Sequence, residues 1–188
     1  YGGILTYIAD SIRFTEVDIN ANNGAGGVFK PNKLVQKDTL AMWKMSVVRH
    51  ANGRDWWLLK TKNDSRIVRR YIIDKIGINL KGNQTLDSVI LDGLGQAIYS
   101  NDGNYYCSLS LRTLYKENYL NIFKFDRNTG LLSNHIHEFI PDTIYGGGLA
   151  ISPNSRFLYL AQWNKIYQYD LKATDIIKSK TLVAEYDG

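Results

Sequence analysis

The sequence has little of what normally cross-links or anchors a chain. Its single cysteine, Cys107, excludes a disulfide within the chain, and the surrounding residues YYCSL predict a small buried apolar side chain. One cysteine is compatible with a reducing compartment and equally with an exported protein whose core needs no cross-links. No apolar run reaches about eighteen residues, so we predict no membrane span.

The N-terminal segment also lacks the features of a leader peptide. The residues YGGILTYIAD include no initiator methionine and no basic stretch, so we do not interpret them as a signal peptide. We expect the chain to be the middle of a longer polypeptide.

Aromatic residues, by contrast, are abundant: the chain has 13 Tyr, 6 Phe and 4 Trp among 188 residues. Such side chains fit the pleated, half-buried surface of a sheet, so the composition favours β-strands. The net charge of +5 supports solubility and weak attraction to anions. Because this charge is small, we expect no nucleic-acid partner.

One pattern recurs along the chain at intervals of about fifty residues. SVVRHANGRDWWLL at Ser46–Leu59 reads as strand, polar turn and strand, and looser copies follow at Gln96–Leu109 and Leu149–Leu160. A second pair of segments, NIFKFD at Asn121–Asp126 and KIYQYD at Lys165–Asp170, agrees position by position. This period is typical of the blades of a β-propeller. Helical periodicity is nowhere sustained, so we predict an all-β fold.

The units have approximate bounds of 1–42, 43–94, 95–147 and 148–188, which makes about four blades. Propellers with this repeat length usually close with about six to eight blades, within a general range of about four to eight. An open array would leave strand edges bare. The alternatives are a small four-bladed ring and part of a larger propeller. We expect the larger propeller, with the remaining blades supplied by the same polypeptide or by another chain.

Four segments carry a resemblance to a known family: RHANGRDWWLL at Arg49–Leu59, FKFDRNTGLLSN at Phe123–Asn134, the run Ile151–Leu171, and VDINANNGAGGVFKPNKL at Val17–Leu34. They resemble exported WD40/YVTN-like β-propeller proteins of Bacteroidetes. Many of these proteins carry a C-terminal sorting domain for type IX secretion, which this sequence lacks. The resemblance implies a secreted or surface-bound protein, with an adhesion or scaffold role and no assigned activity.

The candidate ligand-binding residues lie in the first repeat. His50, Arg54 and Asp55 meet at its turn, and a histidine beside a carboxylate can act as a general base. We favour a structural role, in which His50 and Asp55 tie the turn, because no nucleophile has a recognisable setting nearby. Trp56 and Trp57 point to opposite faces of a strand. We expect one to pack between blades, and the other could be a stacking platform for a sugar ring or a peptide.

A calcium loop is suggested by Asp18, Asn20 and Asn22, which have the correct alternate spacing. Gly24 comes one position late, however, and Phe29 stands where such a loop has glutamate. We therefore predict a turn at this position and no metal.

Two other groups of polar residues have simple structural interpretations. His135 and His137 share a strand face, but no third ligand for zinc lies nearby in sequence. A cluster of basic side chains could meet phosphates or acidic polysaccharide, but we interpret it as a solvated blade edge: Lys60, Lys62, Arg66, Arg69 and Arg70. We predict no cofactor.

These observations favour a non-catalytic binding or scaffold module with a protein or glycan partner. The alternative is part of a propeller hydrolase or lyase that acts on a glycan or peptide, with a site completed by blades outside this sequence. Convergent carboxylates or a metal at the channel mouth would favour the enzyme, and a flat aromatic face would favour binding. A purely mechanical spacer is a third possibility.

Overall fold

The computed structural model describes residues 8–87, 89, 91, 94–112, 117–141 and 147–187. Within these ranges the regular structure consists of antiparallel β-strands, one short helix α1 (Ala21–Gly24) and a 3-10 turn at Ile177–Ser179. No helix in this part of the chain is both long and apolar enough to cross a membrane. The strands are β1 (Ile8–Asp18), β2 (Gly27–Ala41), β3 (Ser46–Arg49), β4 (Trp56–Thr61), β5 (Ile67–Asp74), β6 (Gly77–Thr85), β7 (Ala97–Tyr99), β8 (Tyr105–Arg112), β9 (Glu117–Asp126), β10 (Leu131–Phe139), β11 (Gly147–Ile151), β12 (Phe157–Gln162), β13 (Lys165–Asp170) and β14 (Thr181–Glu185).

Twelve of these strands form three four-stranded sheets in simple sequential order. The first blade is β3–β6, the second is β7–β10 and the third is β11–β14. Every neighbouring pair within a blade is antiparallel. The three blades correspond to the predicted units that begin near residues 43, 95 and 148.

The turn between the first two strands has the same hydrogen bond in every blade. The N–H of the first turn residue donates to the carbonyl oxygen five residues later, over 2.8, 3.1 and 2.8 Å; the pairs are His50 with Asp55, Ser100 with Tyr105, and Ser152 with Phe157. The predicted strand–turn–strand repeat is therefore confirmed. It also defines equivalent positions, because the turns begin at residues 50, 100 and 152.

The blades pack face to face around a common axis. Between the first and second blades, Trp57 and Leu59 are buried in one cluster with Tyr106 and Phe123. Between the second and third blades, a second cluster includes Cys107 together with Leu109, Leu158 and Leu160. The innermost strands β3, β7 and β11 lie side by side. Radial packing of short sheets with adjacent inner strands is the β-propeller fold.

Cys107 occupies the position that the sequence predicts. It is 0% exposed, and burial raises the pKa of its thiol well above the usual value. A neutral, inaccessible thiol is inert, so this residue acts as a small apolar side chain in the interface between blades.

The first predicted unit, residues 1–42, differs from a four-stranded blade in its described part. The strands β1 and β2 form a separate two-stranded sheet, which we call the N-terminal ribbon. The sequence predicts two strands in this unit, Ile4–Ala9 and Ile12–Ile19, separated by Asp10 and Ser11. The first of these lies largely outside the described residues, and the second belongs to β1, which continues back to Ile8 through a register shift at Ala9 and Ser11. The turn that follows is formed by asparagines with positive φ, as predicted for Asn20–Gly27.

The last strand of the first blade is longer than the sequence indicates. The apolar residues predict only a short strand at Ile78–Leu80. In the structure β6 runs from Gly77 to Thr85 and pairs with the whole of β5. The polar residues after Leu80 conceal the strand because they lack apolar alternation. More than half of the β6 residues after Leu80 are exposed, so this part of β6 is held mainly by its backbone pairing with β5.

Trp57 locks the first two blades together. Its indole N–H donates to the carbonyl oxygen of Arg127 over 2.8 Å, and its ring lies against Gly130. A Cβ atom at Gly130 would lie 2.8 Å from Trp57, which is too close for a real contact. Glycine at position 130 thus allows the positive φ of +72° that the turn requires, and it leaves room for the indole ring.

We expect Gly130→Ala to destabilise the protein by about 2 to 4 kcal/mol, since it adds a clash to the strain of a positive φ. Gly53→Ala is the matched control, because Gly53 has the same φ of +72° and open space around its Cβ position. It should cost about 1 to 2 kcal/mol, the strain alone. Urea denaturation measures both values, and equal losses would contradict the proposed contact with Trp57.

Candidate functional site

The turn at His50–Asp55 is held together by its own side chains. The N–H of Asn52 donates to Nδ1 of His50 over 3.0 Å, and Nδ2 of Asn52 donates to Oδ2 of Asp55 over 2.7 Å. Oδ1 of Asn52 accepts the N–H groups of Arg54 and Asp55, each over 3.0 Å. Asn52 is therefore the centre of the turn, a role that asparagine performs well because its short amide reaches nearby backbone groups.

Asp55 and Arg54 form a two-pronged ion pair. Nε of Arg54 lies 2.8 Å from Oδ1 of Asp55, and Nη2 lies 3.2 Å from Oδ2. Hydrogen bonds from Arg54 and then from Asn52 lower the pKa of Asp55 to about 2. The side-chain bonds of His50 and Asp55 thus run to Asn52 and Arg54 and not to each other. This geometry agrees with a structural role in the turn. His50 and Asp55 do not form a hydrogen-bonded pair that could act as a general base.

The two tryptophans point to opposite faces of β4, as expected from strand alternation. Trp57 is 4% exposed, stacks on the ring of His50 at 5.3 Å and packs between blades. Trp56 is 37% exposed, and the guanidinium of Arg49 lies 5.2 Å from its ring centre. Of the pair, Trp56 is the accessible aromatic surface.

A groove of about 530 Å³ runs along the inner strands of the first two blades. Its volume falls within the usual range for small-molecule sites. One wall is formed by β3 and Trp56, and the other by β7 and the turn that follows it. The polar groups that line it are Ser46, Arg49, Tyr99, Ser100, Asn101 and Arg127.

Arg127 is fixed at one end of this groove by three backbone carbonyl groups. Its Nε donates to Arg49 over 2.9 Å, Nη2 donates to His50 over 3.3 Å, and Nη1 donates to Asp102 over 3.3 Å. Because carbonyl groups carry no net charge, the guanidinium keeps its full positive charge. Arg127 and Arg49 together make the groove suitable for an anion.

A chain of hydrogen-bonded polar side chains, which the sequence pattern does not predict, lies between the first and second blades. Nζ of Lys44 donates to Oγ of Ser110 over 3.0 Å, and Nδ2 of Asn121 donates to the same oxygen over 3.4 Å. Oδ1 of Asn121 lies 2.9 Å from Nε2 of His135. Lys44 is only 5% exposed and has a positive φ of 68°, which is unusual for lysine.

One sequence signal points to this polar chain. In β8, YYCSLSLR, Ser108 and Ser110 alternate with apolar residues in a strand buried on both faces. A strand of this kind is normally apolar throughout, so a buried serine indicates a polar partner. Ser110 has such a partner in Lys44, whereas the buried hydroxyl of Ser108 has no hydrogen-bond partner among the described residues.

His135 and His137 share a face of β10, as predicted, and their rings stack at 5.2 Å. His135 also stacks on Phe123 at 4.5 Å, and burial, followed by the charge of His137, lowers its pKa to about 4. Among the described residues, no group of three His, Cys, Asp or Glu side chains is placed to hold a metal.

The basic cluster is dispersed among separate partners. Arg69 pairs with Asp38, whereas Arg66 donates to the carbonyl of Asp87 and Arg70 to that of Thr129. Lys60 is 4% exposed and donates to the carbonyl groups of Met42 and Trp43, and burial lowers its pKa to about 8. These side chains brace the first blade and do not form a single basic surface.

The predicted turn near residue 20 is present. The N–H of Asn20 donates to Oδ1 of Asp18 over 2.9 Å, and Nδ2 of Asn22 donates to the carbonyl of Gly26 over 2.9 Å. These bonds are those of a compact turn and direct the Asn22 amide away from a shared ligand position.

No protein-family model matches the sequence, and a search of curated proteins finds no match. Solved structures do match. A protein from Bacteroides uniformis, provisionally named a 6-phosphogluconolactonase, aligns with a TM-score of 0.59 and 18% identity over 92% of this chain. A protein of the same provisional name from Bacteroides fragilis aligns at 0.58 and 19% over 94%. A protein of unknown function from Desulfotomaculum acetoxidans aligns at 0.57 and 13% over 95%.

The chain spans about half the length of these structures, namely 49%, 50% and 51%. The comparisons support the propeller fold and correct one prediction. The sequence favoured a non-catalytic binding or scaffold module, whereas two of the matching propellers are provisionally named as lactonases, which are hydrolases. The comparison therefore contradicts the prediction of a non-catalytic binding or scaffold module.

His135 should make the stability of the protein depend on pH. Its folded pKa is about 4 and its ordinary value is 6.5, so the unfolded chain binds more protons between these limits. The contribution of neutral His135 to the unfolding free energy is complete above pH 6.5 and is lost as the pH falls toward 4. We expect His135→Gln to flatten the curve of unfolding free energy against pH in this window.

Urea denaturation at a series of pH values from 7 to 4 measures this dependence. Ser133→Gln, on the same strand, is the control and should keep the slope of the unmodified protein, because neither side chain gains a proton in this pH range. An unchanged slope in His135→Gln would show that His135 is not the group responsible.

Proposed function

We propose that the chain is part of a β-propeller hydrolase that opens a negatively charged, sugar-derived lactone in the groove between β3 and β7. The groove is the observation that carries this proposal, because it faces the propeller axis, has the volume of a small-molecule site and is lined by two arginines. The provisional lactonase names of two matching structures supply the reaction class.

The groove suits this chemistry in two ways. Hydrolysis of a lactone adds water to the ester carbonyl, breaks the bond to the ring oxygen and releases a hydroxy acid, so negative charge develops on the carbonyl oxygen. The guanidinium groups of Arg49 and Arg127 can bind an acidic substituent of the substrate or stabilise the developing charge.

A general base must come from elsewhere in the complete protein. The ten described residues that line the groove include no carboxylate and no histidine. This composition fits a site completed by further blades, and the matching structures are about twice as long as this chain.

The face of the third blade that points away from the second blade is exposed, which supports further blades as partners. Tyr159 occupies the position that Trp57 and Cys107 occupy in the first two blades, where both are buried between blades. The residues around Tyr159 are exposed to solvent, namely Ala150, Ala161 and Ile166, the last at 39%. In this proposal the next blade of the same polypeptide covers that face.

We also infer that the protein is exported, on the strength of the HANGRDWW string and the resemblance it carries to secreted propellers of Bacteroidetes. Two matching structures come from Bacteroides species, which is in keeping with this origin. A signal peptide and a type IX sorting domain in the complete reading frame, with recovery of the protein outside the cell, would support export. Retention in the cytoplasm would contradict it.

Lactonase activity can be tested with the complete polypeptide by following acid release from 6-phosphogluconolactone and from uncharged gluconolactone. We expect hydrolysis faster than the spontaneous rate, with Arg49→Ala raising KM for the phosphorylated substrate about tenfold or more. The uncharged substrate should show a much smaller change, because it does not carry the group that Arg49 binds.

The control is Lys178→Ala. Lys178 lies on the third blade with 86% of its side chain exposed, and its removal should leave both substrates unaffected. Hydrolysis no faster than in buffer would exclude the lactonase, and equal effects of Arg49→Ala on the two substrates would exclude its role in binding the anion.

A further inference from the structure

The N-terminal ribbon is connected to the first blade in the same way as the outermost strand of one blade is connected to the next blade. In the first and second blades the chain runs from the inner strand to the outer one and then returns to the inner strand of the next blade. The strand β2 leads to the inner strand β3 through residues 42–45. The strands β1 and β2 therefore occupy the places of the third and fourth strands of a preceding blade.

The packing of the ribbon agrees with this assignment. Leu40 of β2 and Ile12 of β1 are buried in one cluster with Leu58 and Tyr71 of the first blade. Leu40 also forms an isolated bridge with Lys62, beyond the end of β4. The ribbon thus covers only part of this face of the first blade, the part that includes Leu58 and Tyr71.

The remaining inner part of the face is uncovered, although equivalent positions elsewhere are buried. Val47 is 47% exposed and Trp56 is 37% exposed. Their counterparts in the second and third blades face a neighbouring blade and have exposures of 4%, 2%, 6% and 0%, respectively, for Ala97, Tyr106, Leu149 and Leu158. Large apolar side chains at these positions are therefore blade-packing residues without their covering strands.

The edge of the ribbon next to this surface is also open. Among the described residues, β1 pairs only with β2, whereas β5, β9 and β13 each pair with a strand on both sides. An eleven-residue strand with one free edge presents a row of unpaired backbone groups. The open edge and the uncovered apolar surface adjoin, so a single two-stranded hairpin can satisfy both.

We propose that the free edge of β1 and the surface formed by Val47 and Trp56 bind a β-hairpin, which supplies the two inner strands of the ribbon's blade. The hairpin comes from the polypeptide that precedes β1, because the second and third strands of the complete blades are joined by only two to five residues. It carries apolar side chains at alternate positions toward Val47 and Trp56.

This inference concerns packing and does not depend on the proposed lactonase. The hairpin would border the groove at Val47 and Trp56 and so form part of its wall. A protein without lactonase activity could still bind the hairpin, and the tests below have structural readouts only.

The first test is thiol labelling of the complete polypeptide under native conditions. Val47→Cys should react with a maleimide at least about tenfold more slowly than Ile76→Cys, which lies at a turn position that is 78% exposed. The natural Cys107 is fully buried and contributes little background. Equal labelling of the two variants would overturn the proposal.

The second test measures how a charge placed at position 47 changes the thermal stability of the protein. In the complete polypeptide, Val47→Glu should lower Tm by about 5 °C or more, as should Leu149→Glu at the equivalent buried position, whereas Ile76→Glu should not. If Val47→Glu behaves like Ile76→Glu, the hairpin does not cover this surface. Protection of position 47 that disappears on dilution would assign the surface to a second copy of the chain and would also overturn the proposal.

Discussion

Face-to-face packing of sheets is the constraint on which the rest of this structure depends. Each blade is a thin sheet with apolar residues on both faces, so each requires a neighbour on both sides. The second blade has both neighbours, and Tyr106 and Cys107 on its two faces are almost completely buried. Within the described residues, the N-terminal ribbon covers only part of one face of the first blade, and Val47 and Trp56 on the rest of that face are exposed.

The repeat and the propeller could be predicted because strand alternation and turn chemistry are local. Asn52 and its equivalents act within a few residues, and Trp56 and Trp57 reveal two different faces by their positions alone. The ribbon could not be assigned, because a strand of an incomplete blade has the same alternation as one in a complete blade. The polar chain was missed because Lys44 and Ser110 are 66 residues apart in sequence and meet only when blades stack.

The most distinctive string of the sequence, HANGRDWW, therefore serves the architecture. His50, Asn52 and Asp55 form the turn, and Trp57 joins the first blade to the second through Arg127. The feature best suited to a ligand is the groove beside this string, where Arg49 and Arg127 lie on separate blades. A groove of this kind has no sequence signature of its own, because it depends on the spacing of the inner strands.

The polar link from Lys44 to His135 adds specificity to the interface between the first and second blades. Apolar surfaces tolerate many partners of similar shape, whereas hydrogen-bonded polar groups require a particular partner. If a different blade packed against Lys44, the buried ammonium group would lose its bond to Ser110 and would gain no water in return. The cost would be several kcal/mol. Sequential repeats are prone to misassembly, and this polar lock discriminates against any order of blades other than the native one.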